Sequence, residues 1–187
     1  MAYIDVIQHD SAQGFLKEVY DDLVKKRGKL AEVHKILSQN PEAIVAHMEL
    51  YMTTMFGKSP LKRYQREMLA VVVSKANDCE YCQIHHGAAL NHFWKDEARV
   101  ASLIADYKNA GLQPEELLFC EYALELTKNP NSIDKDLHIR NMKELGIDDR
   151  TITDVALIIS YFNFINRIVM GLGAEVSEGE GEGYNYD

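Results

Sequence analysis

Apolar residues recur at three- and four-residue intervals along most of the chain, the spacing that lines one face of an α-helix. Ser11 precedes a stripe of Phe15, Leu16, Val19, Tyr20 and Leu23, which predicts a first helix fraying near Lys25-Lys26-Arg27-Gly28. A short second helix is expected over 30–37. Asn40-Pro41-Glu42 supplies an N-cap, a proline at the first helical position and an acid near the positive end. It opens a helix to about Phe56, with Gly57 just past its end. Ser59-Pro60 opens the next in the same manner, with Leu61, Tyr64, Met68, Val71 and Val72 facing inward before Ala76. Asn77-Asp78 breaks it, and Asp78 is expected to cap a helix that begins at Cys79 and reaches about Phe93. Further helices are expected over 96–110, from Gln113-Pro114 to before Pro130, over 133–145, and from Asp148-Asp149 to about Leu172.

Val71-Val72-Val73 and Ile158-Ile159 are β-branched but lie inside helical periods, so no strand is expected. Short connections favour antiparallel neighbours. The expected fold is all-α, a bundle of about eight helices in a single domain over 1–175. An acidic, Gly-rich tail follows over 176–187, with a composition that predicts disorder unless Tyr184 and Tyr186 dock it on a neighbouring subunit.

Composition narrows the function. A chain of 187 residues buries a sizeable core without disulfide staples. A formal net charge of −9 argues against a nucleic-acid partner, whose phosphates need a basic face. No uninterrupted apolar run approaches about 18 residues, so no membrane span is expected. Met1-Ala2-Tyr3-Ile4-Asp5-Val6 has no basic segment followed by a long apolar one, so no secretory signal is expected either. Three cysteines argue against a secreted disulfide scaffold. The expected location is cytoplasmic, where a close cysteine pair is more often catalytic or metal-binding than structural.

That pair lies in Cys79-Glu80-Tyr81-Cys82-Gln83-Ile84-His85-His86. On a helix, Cys79, Cys82 and His86 fall within about 60° of one another around the axis. Early in the helix, Cys79 gains from the positive dipole end, which favours a thiolate. His86 leans back toward Cys82 and can take its proton. The dipole thus favours Cys79 as the more acidic thiol and the histidine favours Cys82, and spacing leaves both open. Glu67, on the preceding helix, can orient His86 and complete a proton relay, with a raised pKa if it is partly buried. A surface carboxylate paired with Arg63 or Lys75 is the alternative.

Glu67, Cys79-x-x-Cys82 and His86 together resemble the alkylhydroperoxidase D family, within the carboxymuconolactone decarboxylase-like superfamily. Ser59-Pro60-Leu61, Glu67-Met68-Leu69-Ala70-Val71-Val72-Val73, Asn77, His85-His86-Gly87 and Tyr161-Phe162-Asn163-Phe164-Ile165-Asn166-Arg167 are similar to its peroxidase-related branch, over most of residues 30–175. The resemblance implies a thiol-dependent peroxidase that reduces hydroperoxides. Cys82 would attack the peroxide, Cys79 would resolve the sulfenic acid as a disulfide, and Glu67 and His86 would relay protons. It further implies an external dithiol reductant, no bound cofactor, and a homo-oligomer, a trimer or hexamer before a dimer. The best-known enzymes of the family carry a histidine where Tyr81 stands, a departure for which His85 can partly substitute. Tyr81, His85 and Asn163 are candidate lining residues.

Two rival readings remain. Cys79, Cys82, His86 and Glu67 can make a four-ligand zinc shell, and the chain can be a non-catalytic oligomeric module. Cys120, among Leu117, Leu118 and Leu124, reads as an inert core thiol. His9, His34, His47, His92 and His138 have no partner pattern and read as surface or boundary residues. Lys25-Lys26-Arg27 reads as a solvated turn.

Overall fold

The structure, a computed structural model, describes residues 2–176, 181 and 183. Most of the expected tail, including Tyr184 and Tyr186, lies outside the described residues. Nine α-helices are present among them, and no strand: α1 Gly14–Arg27, α2 Glu32–Lys35, α3 Pro41–Tyr51, α4 Arg63–Ala76, α5 Glu80–Trp94, α6 Glu97–Ala105, α7 Pro114–Lys128, α8 Arg140–Glu144 and α9 Asp149–Leu172. One π-helical turn, Met52–Phe56, prolongs α3, and another, Lys135–Ile139, leads into α8. The fold is the expected all-α bundle.

α4 is the hub. It packs on α5, α7 and α9, and 65–74 are buried on every side. A helix covered all round is a core helix. Met68, Leu69, Val71 and Val73 are completely enclosed, and each contributes roughly 1.5–3 kcal/mol of burial. Two polar groups pin this hub. The buried Arg66 guanidinium donates to the carbonyls of Leu61 (3.0 Å), Met55 (2.9 Å) and Gly57 (2.9 Å), so it holds the loop before α4 closed. Glu116 on α7 accepts from the Tyr64 hydroxyl at 2.7 Å and from the Gln113 backbone at 3.0 Å, which ties α7 to α4 and caps α7 at once. A smaller core of Leu16, Val19, Tyr20, Leu23 and Ile44 joins α1 to α3.

The helix starts at Asn40, Gln113 and Asp148 are where the sequence puts them. Asn40 accepts from the Ala43 backbone at 3.1 Å and Asp148 from Thr151 at 2.8 Å. Two other starts differ. α1 begins at Gly14, and Ser11 instead ends a 3-10 turn that leaves Phe15 exposed. α4 begins at Arg63, because Ser59 spends its oxygen on the Leu61 backbone and the chain turns there before it coils. Among the described residues α9 alone is long and apolar enough to cross a bilayer, by length and composition only. The sequence showed no uninterrupted apolar run of that length, and no span was expected. In the fold α9 is a packing partner of α4 and α7, with Val155, Ile159, Phe162 and Val169 in the main core.

Candidate active site

The turn from α4 to α5 places the thiols. Asp78 stands in the left-handed region at φ +56°, a conformation that costs a non-glycine residue about 1–2 kcal/mol. There it cannot serve as the expected cap. Cys79 takes the N-cap position, and its backbone N–H is held by the Ser74 carbonyl at 2.9 Å. Cys82 is then the third helical residue, the position that an N-cap side chain reaches back to. The two sulfurs are brought together by this one-residue shift. α5 starts without a side-chain cap bond, so the positive end of its dipole faces them.

Both cysteines are free and almost fully buried, and they share a proton. The Cys82 thiol, hydrogen-bonded to Cys79, holds Cys79 below the usual thiol range against the opposing effect of burial. That same bond, burial and the neighbouring charge push Cys82 well up, while Asn166 and Ser74 pull it back. Of the pair, Cys79 is the more acidic sulfur and Cys82 the one that holds its proton more tightly.

Below the thiols lies a polar network. The Asn77 amide donates to Asn163 at 3.1 Å and to Asn166 at 3.0 Å, and the Asn166 amide donates to Ser74 at 3.2 Å. Asn166 and Ser74 are fully enclosed. Asn163, expected to line the site, instead points its amide to Thr127 at 2.9 Å and its oxygen to Asn77 and Arg167, so it braces α9 rather than the cavity.

Glu67 is buried, not a surface carboxylate. One oxygen meets His86 Nδ1 at 2.6 Å and the other pairs with Arg63 at 2.7 Å. Arg63 itself lies over the Phe56 ring at 4.0 Å. Burial pushes the Glu67 carboxyl up, but His86 and Arg63 outweigh it and hold the group below its ordinary value. The expected rise is therefore overturned by two hydrogen-bonding partners, His86 and the Arg63 guanidinium. An ionised Glu67 can only accept, so His86 Nδ1 carries the proton and Nε2 presents a lone pair. That is the tautomer of a general base.

Glu67, Cys82 and His86 line one cavity of about 90 Å³, with Tyr81 and His85 on its wall. Cys79 is not among the lining residues. Tyr81 accepts from the Val33 backbone at 3.1 Å and lies 4.4 Å from the His85 ring. Its hydroxyl thereby anchors α5 to α2. Among the described residues no three His, Cys, Asp or Glu groups converge on a cation position, and both Glu67 oxygens are engaged by His86 and Arg63. Cys120 is enclosed, and burial drives its thiol far up.

Sequence reasoning missed His34, His47 and Arg27, which it left on the surface. All three line the cavity. Both histidines are buried because α2 and α3 fold back over the site, and His47 Nδ1 meets the Tyr161 hydroxyl at 3.1 Å across 114 positions of chain. Arg27 lies 4.8 Å over the Phe56 ring. No local spacing signals such contacts. Asn166 did carry a signal, as a polar residue on an apolar helix.

Burial depresses the His34 pKa to about 3, with smaller pushes from His47, Arg27 and His85, and burial depresses that of His47 to about 4. Between these values and the unfolded value near 6.5, the unfolded chain binds more protons than the native one. Stability is accordingly expected to fall as pH drops from about 6.5 toward 4, by several kcal/mol in all at ~1.4 kcal/mol per pKa unit. Urea unfolding at a series of pH values measures this, and His47→Leu is expected to flatten the slope.

The matches to known proteins agree with this fold. The sequence model of the carboxymuconolactone decarboxylase family matches residues 41–125, which contain α3 to α6 and Glu67, Cys79, Cys82 and His86. An uncharacterized peroxidase-related protein from Silicibacter sp. TM1040 is 26% identical and superposes with a TM-score of 0.81, covering 95% of this chain and 90% of that one. The alkylhydroperoxidase AhpD core of an uncharacterized peroxidase-related protein from Ralstonia eutropha JMP134 has a TM-score of 0.86 at 22% identity, over 96% of this chain and 94% of that one. The uncharacterized protein YdfG of Bacillus subtilis (strain 168) is 27% identical over 133 residues, 71% of this chain and 88% of that one. The fold is that of these alkylhydroperoxidase D-like structures. The segment 41–125 is similar to the carboxymuconolactone decarboxylase family.

Proposed function

We propose that the protein is a thiol-dependent peroxidase that reduces hydroperoxides through Cys82 and Cys79. The observation that carries this reading is the 2.6 Å link from Glu67 to His86 in the same small cavity as Cys82. His86 Nε2 takes the Cys82 proton, and the ionised Glu67 stabilises the imidazolium that forms. The Cys82 thiolate attacks the terminal peroxide oxygen. The O–O bond breaks, sulfur gains the oxygen as a sulfenic acid, and the departing alkoxide takes the proton from His86. The Cys79 thiolate then attacks the Cys82 sulfur and displaces hydroxide, which leaves as water after protonation. An external dithiol returns the disulfide to two thiols. Cys82 faces the cavity and Cys79 does not, a division that suits attack by the first and resolution by the second. A 26%-identical relative described as peroxidase-related supports a peroxidase reading.

Thiol titration before and after one equivalent of hydrogen peroxide tests this reading. Three thiols are expected to fall to one, Cys120, with mass mapping locating a Cys79–Cys82 link. Three surviving thiols would refute it. The same reading includes self-association into a trimer or hexamer, supported by Leu157 and Phe164, which stand two turns apart on the exposed face of α9.

A further inference from the structure

The cavity has a second polar pole that the peroxidase mechanism leaves unused. His34 Nδ1 and His47 Nε2 are buried and have no hydrogen-bond partner. The two residues are 6% and 7% exposed, and both line the space that Cys82 lines. Their ring centroids are 5.9 Å apart and the planes are tilted by 41°. Buried polar atoms are normally satisfied, and an unsatisfied one asks what partner is missing. Here two such nitrogens belong to residues that line one cavity, so a guest in that cavity is the candidate partner.

We propose that His34 and His47 form a second polar subsite in the Cys82 cavity, which takes the hydroxyl or other neutral hydrogen-bonding end of a compact substrate while its reactive end meets the thiol. This rests on Cys82 as the reacting sulfur and deepens the peroxidase reading by naming the class of molecule it acts on. Both rings stay uncharged at neutral pH, since burial holds their pKa values at about 3 and about 4. The uncharged pair itself offers a carboxylate or phosphate no countercharge, and Arg27, the cation in the same lining, lies over the Phe56 ring. A hydroxyl both gives and accepts, so it suits either tautomer. His47 already engages the Tyr161 hydroxyl through Nδ1, which fixes the ring and leaves Nε2 for the guest.

Size limits the guest as well. The cavity holds about 90 Å³, less than the roughly 150 Å³ that encloses a benzene ring. A chain of three or four heavy atoms beyond the reactive group fits, and a bulky arene or branched lipid does not. Between the two poles, Tyr51, Phe162 and Ile165 supply rings and hydrocarbon. The favoured substrate is thus a short hydroxy-bearing hydroperoxide, with an apolar middle and two polar ends.

An isosteric pair of alkylating agents tests the subsite without any peroxide chemistry. In each, the Cys82 thiolate forms a C–S bond and expels iodide. 2-Iodoethanol carries a hydroxyl where 1-iodopropane carries a methyl group. The rate of modification at Cys82, followed by peptide mass mapping and divided by the rate with glutathione, is expected to favour 2-iodoethanol by about tenfold, the effect of one good hydrogen bond. In His34→Leu and His47→Leu the preference is expected to shrink to within twofold. If a leucine variant does not fold, the corresponding His→Phe variant, a flat ring without nitrogen, is read in the same way. A parent ratio near one, or a full preference retained in the variants, would overturn the subsite. Because alkylation needs no peroxide, either result is independent of the thiol titration that tests the peroxidase reading.

Discussion

Cys82→Ser is expected to abolish peroxide consumption, by at least about 10³-fold, since deleting a covalent nucleophile costs up to ~10⁶ in well-studied cases. The size follows from placement. Cys82 is the sulfur that lines the cavity, and the hydroxyl of serine has no comparable nucleophilicity beside a single imidazole. Cys79→Ser is expected to behave differently. It leaves the attacking sulfur in place and removes the resolving one. One equivalent of peroxide is then consumed and Cys82 is trapped as a sulfenic acid, detectable by its mass and by reaction with a 1,3-diketone probe. Cys79→Ser also removes the sulfur that holds the Cys82 proton. The Cys82 pKa is therefore expected to fall in this variant, and thiolate absorbance against pH reads the change. Equal peroxide turnover in parent and Cys82→Ser would end the proposed mechanism.

The second large effect is expected at Glu67. Glu67→Ala leaves the Arg63 guanidinium half-enclosed over Phe56 with no counter-charge, and breaking one side of a buried ion pair costs about 3–5 kcal/mol. Urea denaturation at neutral pH measures it. Glu67→Gln keeps the volume and one hydrogen bond to His86, so its stability loss is expected to be less than half as large. Its chemistry fails all the same, because an amide neither fixes the His86 tautomer nor steadies its charged form. Oxidation of Cys82 by peroxide is expected to slow by about 10²-fold, the lower end of what a positioned base supplies. Equal rates in Glu67→Gln and the parent would remove the relay from the mechanism. The sign of the pH effect is fixed too. A carboxyl held below its ordinary value contributes fully above that value, and its share is lost only as pH falls through the lowered one.

Much of this was legible in the chain, and the exceptions have physical causes. Asn40-Pro41 and Asp148 mark helix starts because capping is local chemistry, settled within four residues. Asp78 misled for the opposite reason. Its side chain suits a cap, but the sharp return from α4 to α5 puts its backbone at φ +56°, and tertiary geometry passed the cap position to Cys79. Glu67 and His86 were identified as partners from spacing and family resemblance, yet the carboxyl's acidity came out reversed, because the close His86 contact, joined by Arg63, outweighs burial. His34 and His47 carried no signal at all. Their burial depends on contacts such as that between His47 and Tyr161, 114 residues apart, which no pattern in a single chain encodes.

The near-complete enclosure of both sulfurs sets different terms for the two halves of a catalytic cycle. On the proposed mechanism a small oxidant would reach Cys82 through the cavity it lines. A regenerating thiol borne on another macromolecule would not reach sulfurs that are 1% and 4% exposed. Recharging would then fall either to slender dithiols or to moments when the first turn of α5 unwinds and presents the bridge at the surface. Stiffening that turn would slow recovery while leaving the first oxidation untouched.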